Sequence, residues 1–145
     1  MAQSVRRRTR PQIFLSHSSQ DTWVATQIAN HLRRAGATPF LDVFDIDHGQ
    51  DYDDVIRRAT VNSHEALILL TGAAARSNNV WMEVGAFWGQ GKNVTCVLYG
   101  VTIASLSKDP KIPAFVKRGQ HVGINDIDGY FKKLTRRIAR RKKAR

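Results

Sequence analysis

The sequence contains a single cysteine, Cys96, among 145 residues. No intrachain disulfide can form, which fits a reducing compartment, and we expect a cytoplasmic protein. Cys96 lies in an apolar segment, so a buried structural thiol is favoured over a nucleophile. The longest uninterrupted aliphatic run, Ala66 to Leu70, is far too short to span a membrane. The apolar segment that follows the first arginines is also too short for a secretory signal.

Acidic residues are absent from both ends of the chain, although the net charge is +11. Residues 1–10 carry four arginines, and residues 132–145 carry nine lysines and arginines. Residues 11–131 contain the other ten basic residues and all twelve acidic ones, a net charge of −2. We therefore predict a basic N-terminal tail (1–10), one domain (11–131) and a basic C-terminal helix end or tail (132–145). The ends either confer solubility or contact nucleic acid or anionic surfaces.

No internal repeat is present, and the chain is long enough for one domain with a core. Apolar runs alternate with amphipathic segments, which predicts an α/β fold. Ser18 to Asp21 matches a capping box before the first helix, and Gly36 matches its end. For five strands we expect a flavodoxin-like, doubly wound parallel sheet of order 2-1-3-4-5, with helices on both faces. The predicted strands are 12–16, 38–43, 66–71, 93–99 and 121–124, and the predicted helices lie near 19–35, 51–59, 77–90 and 126–145, with one short helical turn at 112–116.

Glu83 is the candidate pocket residue because it interrupts an apolar helical segment six residues after Ser77. In doubly wound sheets, ligands bind beyond the carboxyl ends of the strands near the switch point. Glu83 lies one to two turns into a helix that leaves this region, so it can face the crevice. The alternative is a solvated surface glutamate. The histidines lack metal-ligand spacing and the glycines lack a phosphate-binding pattern, so neither a metal nor a cofactor is predicted.

Four motifs stand in register along the chain, namely Ile13 to Asp21, the loop containing Gly49, Leu67 to Thr71, and Ser77 to Glu83. Together they resemble the Toll/interleukin-1 receptor (TIR) domain, and most closely its stand-alone bacterial members of the Thoeris-like defence type. The resemblance covers roughly residues 12–131. It implies that Glu83 cleaves the nicotinamide–ribose bond of NAD, which would be a substrate and not a cofactor. Many members have an aromatic residue four positions before the glutamate, where this chain has Asn79.

The resemblance also assigns roles to two loops. The loop after the first strand would line the nucleotide site, and the loop at 42–51 would cover that site and mediate self-association. Phe44 is our candidate for stacking on a base, while Trp81 either compensates for the missing aromatic residue or fills the core. The predicted substrate-binding residues are Ser16, His17, Ser18, Asp42, Phe44, Ser77 and Trp81, and the predicted interaction-loop residues are Asp45, Ile46, Asp47 and Gly49.

One carboxylate is sufficient for this chemistry. Nicotinamide leaves NAD as a neutral molecule, so no general acid is required, unlike in ordinary glycosidases. A carboxylate that faces the developing ribose cation stabilises the transition state electrostatically. The product would be ADP-ribose or a cyclic isomer that signals to a nucleotide-sensing effector in bacterial antiviral defence. The alternatives are a non-catalytic TIR–TIR interaction module, a nucleoside deoxyribosyltransferase-like enzyme, and nucleic-acid or membrane association through the basic ends.

Overall fold

The sheet has five parallel strands in the order β2-β1-β3-β4-β5. The structure, a computed structural model, describes residues 10–41 and 51–144. The predicted flavodoxin-like class and the predicted strand order are both confirmed. The strands are β1 (Gln12–Ser16), β2 (Thr38–Phe40), β3 (Glu65–Leu70), β4 (Asn93–Leu98) and β5 (Gln120–Gly123).

Seven α-helices lie in the described ranges, and the short α3 and α5 were not predicted. Gly36 ends α1 in the left-handed conformation at φ 101°, as expected for a glycine C-cap. Ser77 caps the fourth helix, where the sequence predicted its start. The helices are α1 (Thr22–Ala35), α2 (Tyr52–Asn62), α3 (Gly72–Ala75), α4 (Asn78–Gly89), α5 (Ile103–Ser107), α6 (Ala114–Lys117) and α7 (Ile127–Lys143).

Each face of the sheet packs against its own set of helices. Ile13 and Leu15 of β1 belong to the core under α1 and α7. Side chains alternate along a strand, so Phe14 and Ser16 face the opposite side, where α2 and α4 pack. This alternation places the hydroxyl of Ser16, the last residue of β1, against α4. No helix within the described ranges combines the length and the apolar character needed to cross a membrane.

The C-terminal helix α7 continues through the predicted domain boundary at residue 131. Leu134 and Ile138, which lie beyond that boundary, are only 2% and 5% exposed and pack against α1. The basic side chains of α7 other than Arg137 occupy its exposed face. The boundary itself stays a prediction, but the first part of the 132–145 segment contributes to the core.

The predicted capping box is confirmed for its N-cap Ser18, but the predicted contact of Asp21 back to Ser18 is wrong. The Ser18 hydroxyl accepts a hydrogen bond from the Gln20 amide at 3.3 Å, at the start of a 3-10 turn, and α1 begins afterwards at Thr22. The Asp21 carboxylate instead accepts a 2.6 Å hydrogen bond from the Thr71 hydroxyl. The tight turn after β1 therefore directs Asp21 away from the helix terminus and toward the loop after β3.

The second strand is shorter than the sequence predicted. It ends at Phe40, and Leu41 is buried outside the strand. The rest of the predicted strand, residues 42–43, lies outside the described residues. A three-residue edge strand fits the position of Pro39, because proline lacks the amide hydrogen that a longer ladder would use.

Candidate active site

Glu83 is a buried carboxylate on α4, beside the carboxyl end of β1. Its side chain is 5% exposed, and its Oε2 accepts a 2.8 Å hydrogen bond from the hydroxyl of Ser16. The local sequence explains this position, because Val80, Val84 and Phe87 bury the adjacent face of α4 against the sheet. A carboxylate is costly to bury without such hydrogen bonds. The alternative of a solvated surface glutamate is therefore wrong.

The site lies at the point where the strand order reverses. β1 has β2 on one side and β3 on the other, so the loops after β1 and β3 leave the sheet in different directions. The hydrogen bond from Thr71 to Asp21 joins these two loops directly. This hydrogen bond therefore holds the two loops that border the crevice beside Glu83 in a fixed relative position.

A first cavity next to Glu83, the polar cavity, has a volume of about 290 Å³. His17 lies in its wall and is only 7% exposed. Nδ1 of His17 is 3.4 Å from the carbonyl oxygen of Leu15, and within the described part of the chain Nε2 has no hydrogen-bond partner. The His17 ring therefore lies in the cavity wall, while its Nε2 atom is itself buried. Its described lining is His17, Ser18, Ser19, Tyr52, Ser77, Asn79, Val80 and Glu83.

A second cavity, the interhelical cavity, lies between α2 and α4 and has a volume of about 330 Å³. Residues spaced three or four apart on each helix form its walls, as expected when two helical faces meet across a groove. It shares Tyr52, Asn79 and Glu83 with the polar cavity. Its described lining is Tyr52, Asp53, Ile56, Arg57, Thr60, Asn79, Met82, Glu83 and Ala86.

Most of the predicted site residues within the described ranges come together. Ser16 contacts Glu83 directly, while His17, Ser18 and Ser77 line the polar cavity. Predicted residues outside the described ranges are Asp42 and Phe44 of the substrate-binding set and Asp45, Ile46, Asp47 and Gly49 of the interaction loop.

Trp81 does not join the other predicted site residues. Its Nε1 donates a 2.9 Å hydrogen bond to the carbonyl oxygen of Ala75, and its ring packs against the core beside α5 and α6. It does not line either cavity around Glu83. The physical reason is helical phase, because two residues correspond to about 200° around an α-helix. The core-filling interpretation of Trp81 fits the structure.

Comparison with known proteins assigns the family. The family model described as TIR domain matches residues 13–136. The chain belongs to the TIR domain family. The TIR domain of the Toll-related receptor TRR-2 from Hydra magnipapillata aligns with a TM-score of 0.65 at 19% identity, covering 88% of this chain and 97% of that one. The TIR domains of the activated Roq1 resistosome, which directly recognises the pathogen effector XopQ, align with a TM-score of 0.67 at 16% identity, covering 90% and 98%. The search of curated proteins returned no significant match.

Sequence reasoning missed several residues that form the site of this TIR domain. From the sequence, Tyr52 was placed only near the start of a predicted helix, although in the structure it lines both cavities. Ile56 and Thr60 follow it at intervals of four and line the interhelical cavity. That spacing was visible in the sequence and marks one face of α2. What the sequence did not show is that this face lies opposite Asn79 and Glu83.

Lys92 fixes the end of α2 beside the interhelical cavity. Its ammonium group donates hydrogen bonds of 2.7 and 2.8 Å to the carbonyl oxygens of Thr60 and Val61, which are in the last turn of α2. It also lies 5.7 Å from the centre of the Phe87 ring on α4. Burial lowers the pKa of Lys92 from its ordinary value. A cation at a helix C-terminus is favourable. Through these contacts Lys92 connects α2 and α4, the two helices that form the walls of the cavity.

Proposed function

We propose that this TIR domain cleaves the bond between nicotinamide and ribose in NAD, with Glu83 as the catalytic carboxylate. The supporting observation is the buried Glu83 side chain, held by Ser16 at the point where the two cavities meet. The TIR family includes NAD-cleaving enzymes as well as signalling scaffolds, so membership permits this activity without establishing it. The site adds a carboxylate placed where a ligand in either cavity can reach it.

The chemistry follows from charge. When the bond between C1′ of the ribose and the pyridinium nitrogen breaks, the electron pair moves to the nitrogen and nicotinamide leaves neutral. Positive charge develops on the ribose, and the Glu83 carboxylate stabilises it while accepting hydrogen bonds from the ribose hydroxyls. Water that attacks C1′ and loses a proton gives ADP-ribose. An internal nucleophile of the same molecule gives a cyclic isomer.

The biological role in this proposal is bacterial antiviral defence in the cytoplasm. It rests on the resemblance of the four sequence motifs to stand-alone bacterial TIR domains. In this role the product would be a signal for a nucleotide-sensing effector, and contacts between TIR domains would assemble the active form. The interaction-loop residues predicted for that assembly lie outside the described residues.

The decisive experiment compares the purified chain with its Glu83→Gln variant. Glutamine keeps the size and can accept the hydrogen bond from Ser16, but it removes the negative charge. We expect nicotinamide release from NAD, followed by chromatography, to fall at least about 100-fold. Asp54→Asn is the matched control, because it removes a carboxylate that pairs with Arg58 on the surface of α2. The assay is run at low and high protein concentration and with infected-cell lysate, since assembly can be required.

Equal nicotinamide release by the parent chain and Glu83→Gln would exclude the role proposed for Glu83. Oligomers that release no nicotinamide under any of these conditions would favour the non-catalytic interaction module. Exchange of bases between nucleosides, without NAD cleavage, would instead support the deoxyribosyltransferase-like alternative.

A further inference from the structure

The position where many TIR domains have an aromatic residue is occupied here by Asn79, which has no ring to stack on a base. Asn79 nevertheless lines both cavities, one helical turn before Glu83. A flat heteroaromatic ligand needs a planar surface close to the carboxylate. If a heteroaromatic ligand stacks on a ring in this site, that ring must belong to an element other than the start of α4.

Tyr52 provides such a ring on the opposite wall. Among the described residues that line the two cavities, it is the only phenylalanine, tyrosine or tryptophan. It is the first residue of α2, after the N-cap Asp51, and it is 42% exposed. Together with Asn79 and Glu83 it lines both cavities, so a ligand in either cavity can contact it.

We propose that Tyr52 is the residue on which the nicotinamide ring of NAD stacks. This inference rests on the proposed function and assigns a specificity-determining residue to the same site. Before cleavage the nicotinamide ring is a pyridinium cation, and the face of a tyrosine ring attracts cations. After cleavage the ring is neutral and this attraction is lost, which favours release of the leaving group.

The other candidates fit this role less well. Trp81 contacts the Ala75 carbonyl on a different side of α4. Met82 lines the interhelical cavity, but its thioether has no planar face. His17 lines only the polar cavity, and its buried Nε2 is suited to a hydrogen bond. Tyr52 is therefore the described side chain that combines a ring with access to both cavities.

The test measures ligand binding in the Glu83→Gln background of the full chain, where turnover does not interfere. The probes are oxidised nicotinamide mononucleotide, its reduced and neutral form, and ADP-ribose. We expect Tyr52→Leu to weaken binding of the oxidised mononucleotide about 2- to 30-fold, and of the reduced form less. ADP-ribose, which lacks nicotinamide, should bind unchanged, and Tyr52→Phe should keep the parent affinity. Tyr99→Leu is the control, because Tyr99 is similarly exposed and lines neither cavity.

Turnover separates this inference from the proposed function. With Glu83 present, Tyr52→Leu should raise KM for NAD and also raise kcat, because stacking on the pyridinium cation is stronger in the ground state than in the transition state, where the ring becomes neutral. A KM for NAD that is unaffected by Tyr52→Leu overturns the role of Tyr52 and leaves Glu83 in place. An equal loss of affinity for ADP-ribose and the mononucleotide overturns it too, because it indicates stacking on adenine or a general defect. Failure of all three probes to bind the parent overturns the stacking assignment.

Discussion

At the scale of single residues, Ser16 is the residue that positions Glu83. It is the last residue of β1 and is 1% exposed, so its hydroxyl has little freedom and points at Oε2 of Glu83 from 2.8 Å. A hydrogen bond to a charged group contributes about 1.5–3 kcal/mol. We expect Ser16→Ala to lower kcat for nicotinamide release about 10- to 100-fold, because the carboxylate loses its fixed orientation. The measurement is steady-state kinetics with NAD.

The control for Ser16→Ala is Ser63→Ala. Ser63 is equally buried, but its hydroxyl accepts a 2.9 Å hydrogen bond from Gln12 at the opposite end of the sheet. Both variants lose one buried hydrogen bond, so both should unfold at a lower temperature. Only Ser16→Ala should change kcat. If both variants lose activity in proportion to stability, Ser16 acts on the fold and not on the position of Glu83.

At the scale of elements, a polar network attaches α7 to the sheet. Arg137 donates two hydrogen bonds of 2.9 and 2.8 Å to the carboxylate of Glu65 at the start of β3, and the Tyr130 hydroxyl donates a third of 3.0 Å. Burial raises the pKa of the Tyr130 phenol, and the charge and hydrogen bond of Glu65 raise it further, while Arg137 opposes the shift. The hydrogen bond from Tyr130 to Glu65 therefore exists only while the phenol keeps its proton.

The sign of this pKa shift predicts how stability changes in alkali. A phenol whose pKa is raised in the folded state contributes stability that is complete below its unfolded value, about 10, and is lost as pH rises above it. Tyr130→Phe should cost about 1 kcal/mol at neutral pH. Above pH 10 its free energy of unfolding should fall less steeply than that of the parent. Urea denaturation between pH 7 and 11 measures both effects, and parallel curves would contradict this role of Tyr130.

A structural feature could be predicted from the sequence when the interactions that fix it are local, and could not when they join distant parts of the chain. Leu67 to Leu70 are apolar on both faces, so the buried central strand followed from composition alone. The bond that determines the conformation of Asp21 comes from Thr71, fifty residues away, and a local capping pattern could not reveal it. Tyr52 was missed for the same reason, because its role depends on which faces of α2 and α4 meet. The start of α4 near Ser77 was predicted, because the hydrogen bond from the Val80 amide that fixes it is local.

At the scale of the whole molecule, the basic residues at the end of α7 are separated from the site around Glu83. Apart from Arg137, which pairs with Glu65, the basic side chains of α7 are exposed, whereas Glu83 lies on the other side of the sheet. The predicted contact of the basic ends with nucleic acid or anionic surfaces can therefore be tested without altering the cavities. The buried residues Leu134 and Ile138 determine how much of the helix can be removed.

Two truncations separate folding from charge. A chain ending at Ala139 keeps Ile138 and loses five basic residues. It should unfold cooperatively, release nicotinamide like the parent, and bind a labelled single-stranded oligonucleotide with a weaker salt dependence. The slope of log affinity against log salt should fall by about 0.7 for each lost phosphate contact.

A chain ending at Phe131 also loses Leu134 and Ile138. Removing one such side chain costs about 2–5 kcal/mol, and the total stability of a domain is about 5–15 kcal/mol, so this chain should not fold. Circular dichroism and fluorescence anisotropy at two salt concentrations measure these outcomes, and unchanged oligonucleotide binding by the Ala139 chain would show that the last basic residues make no contact.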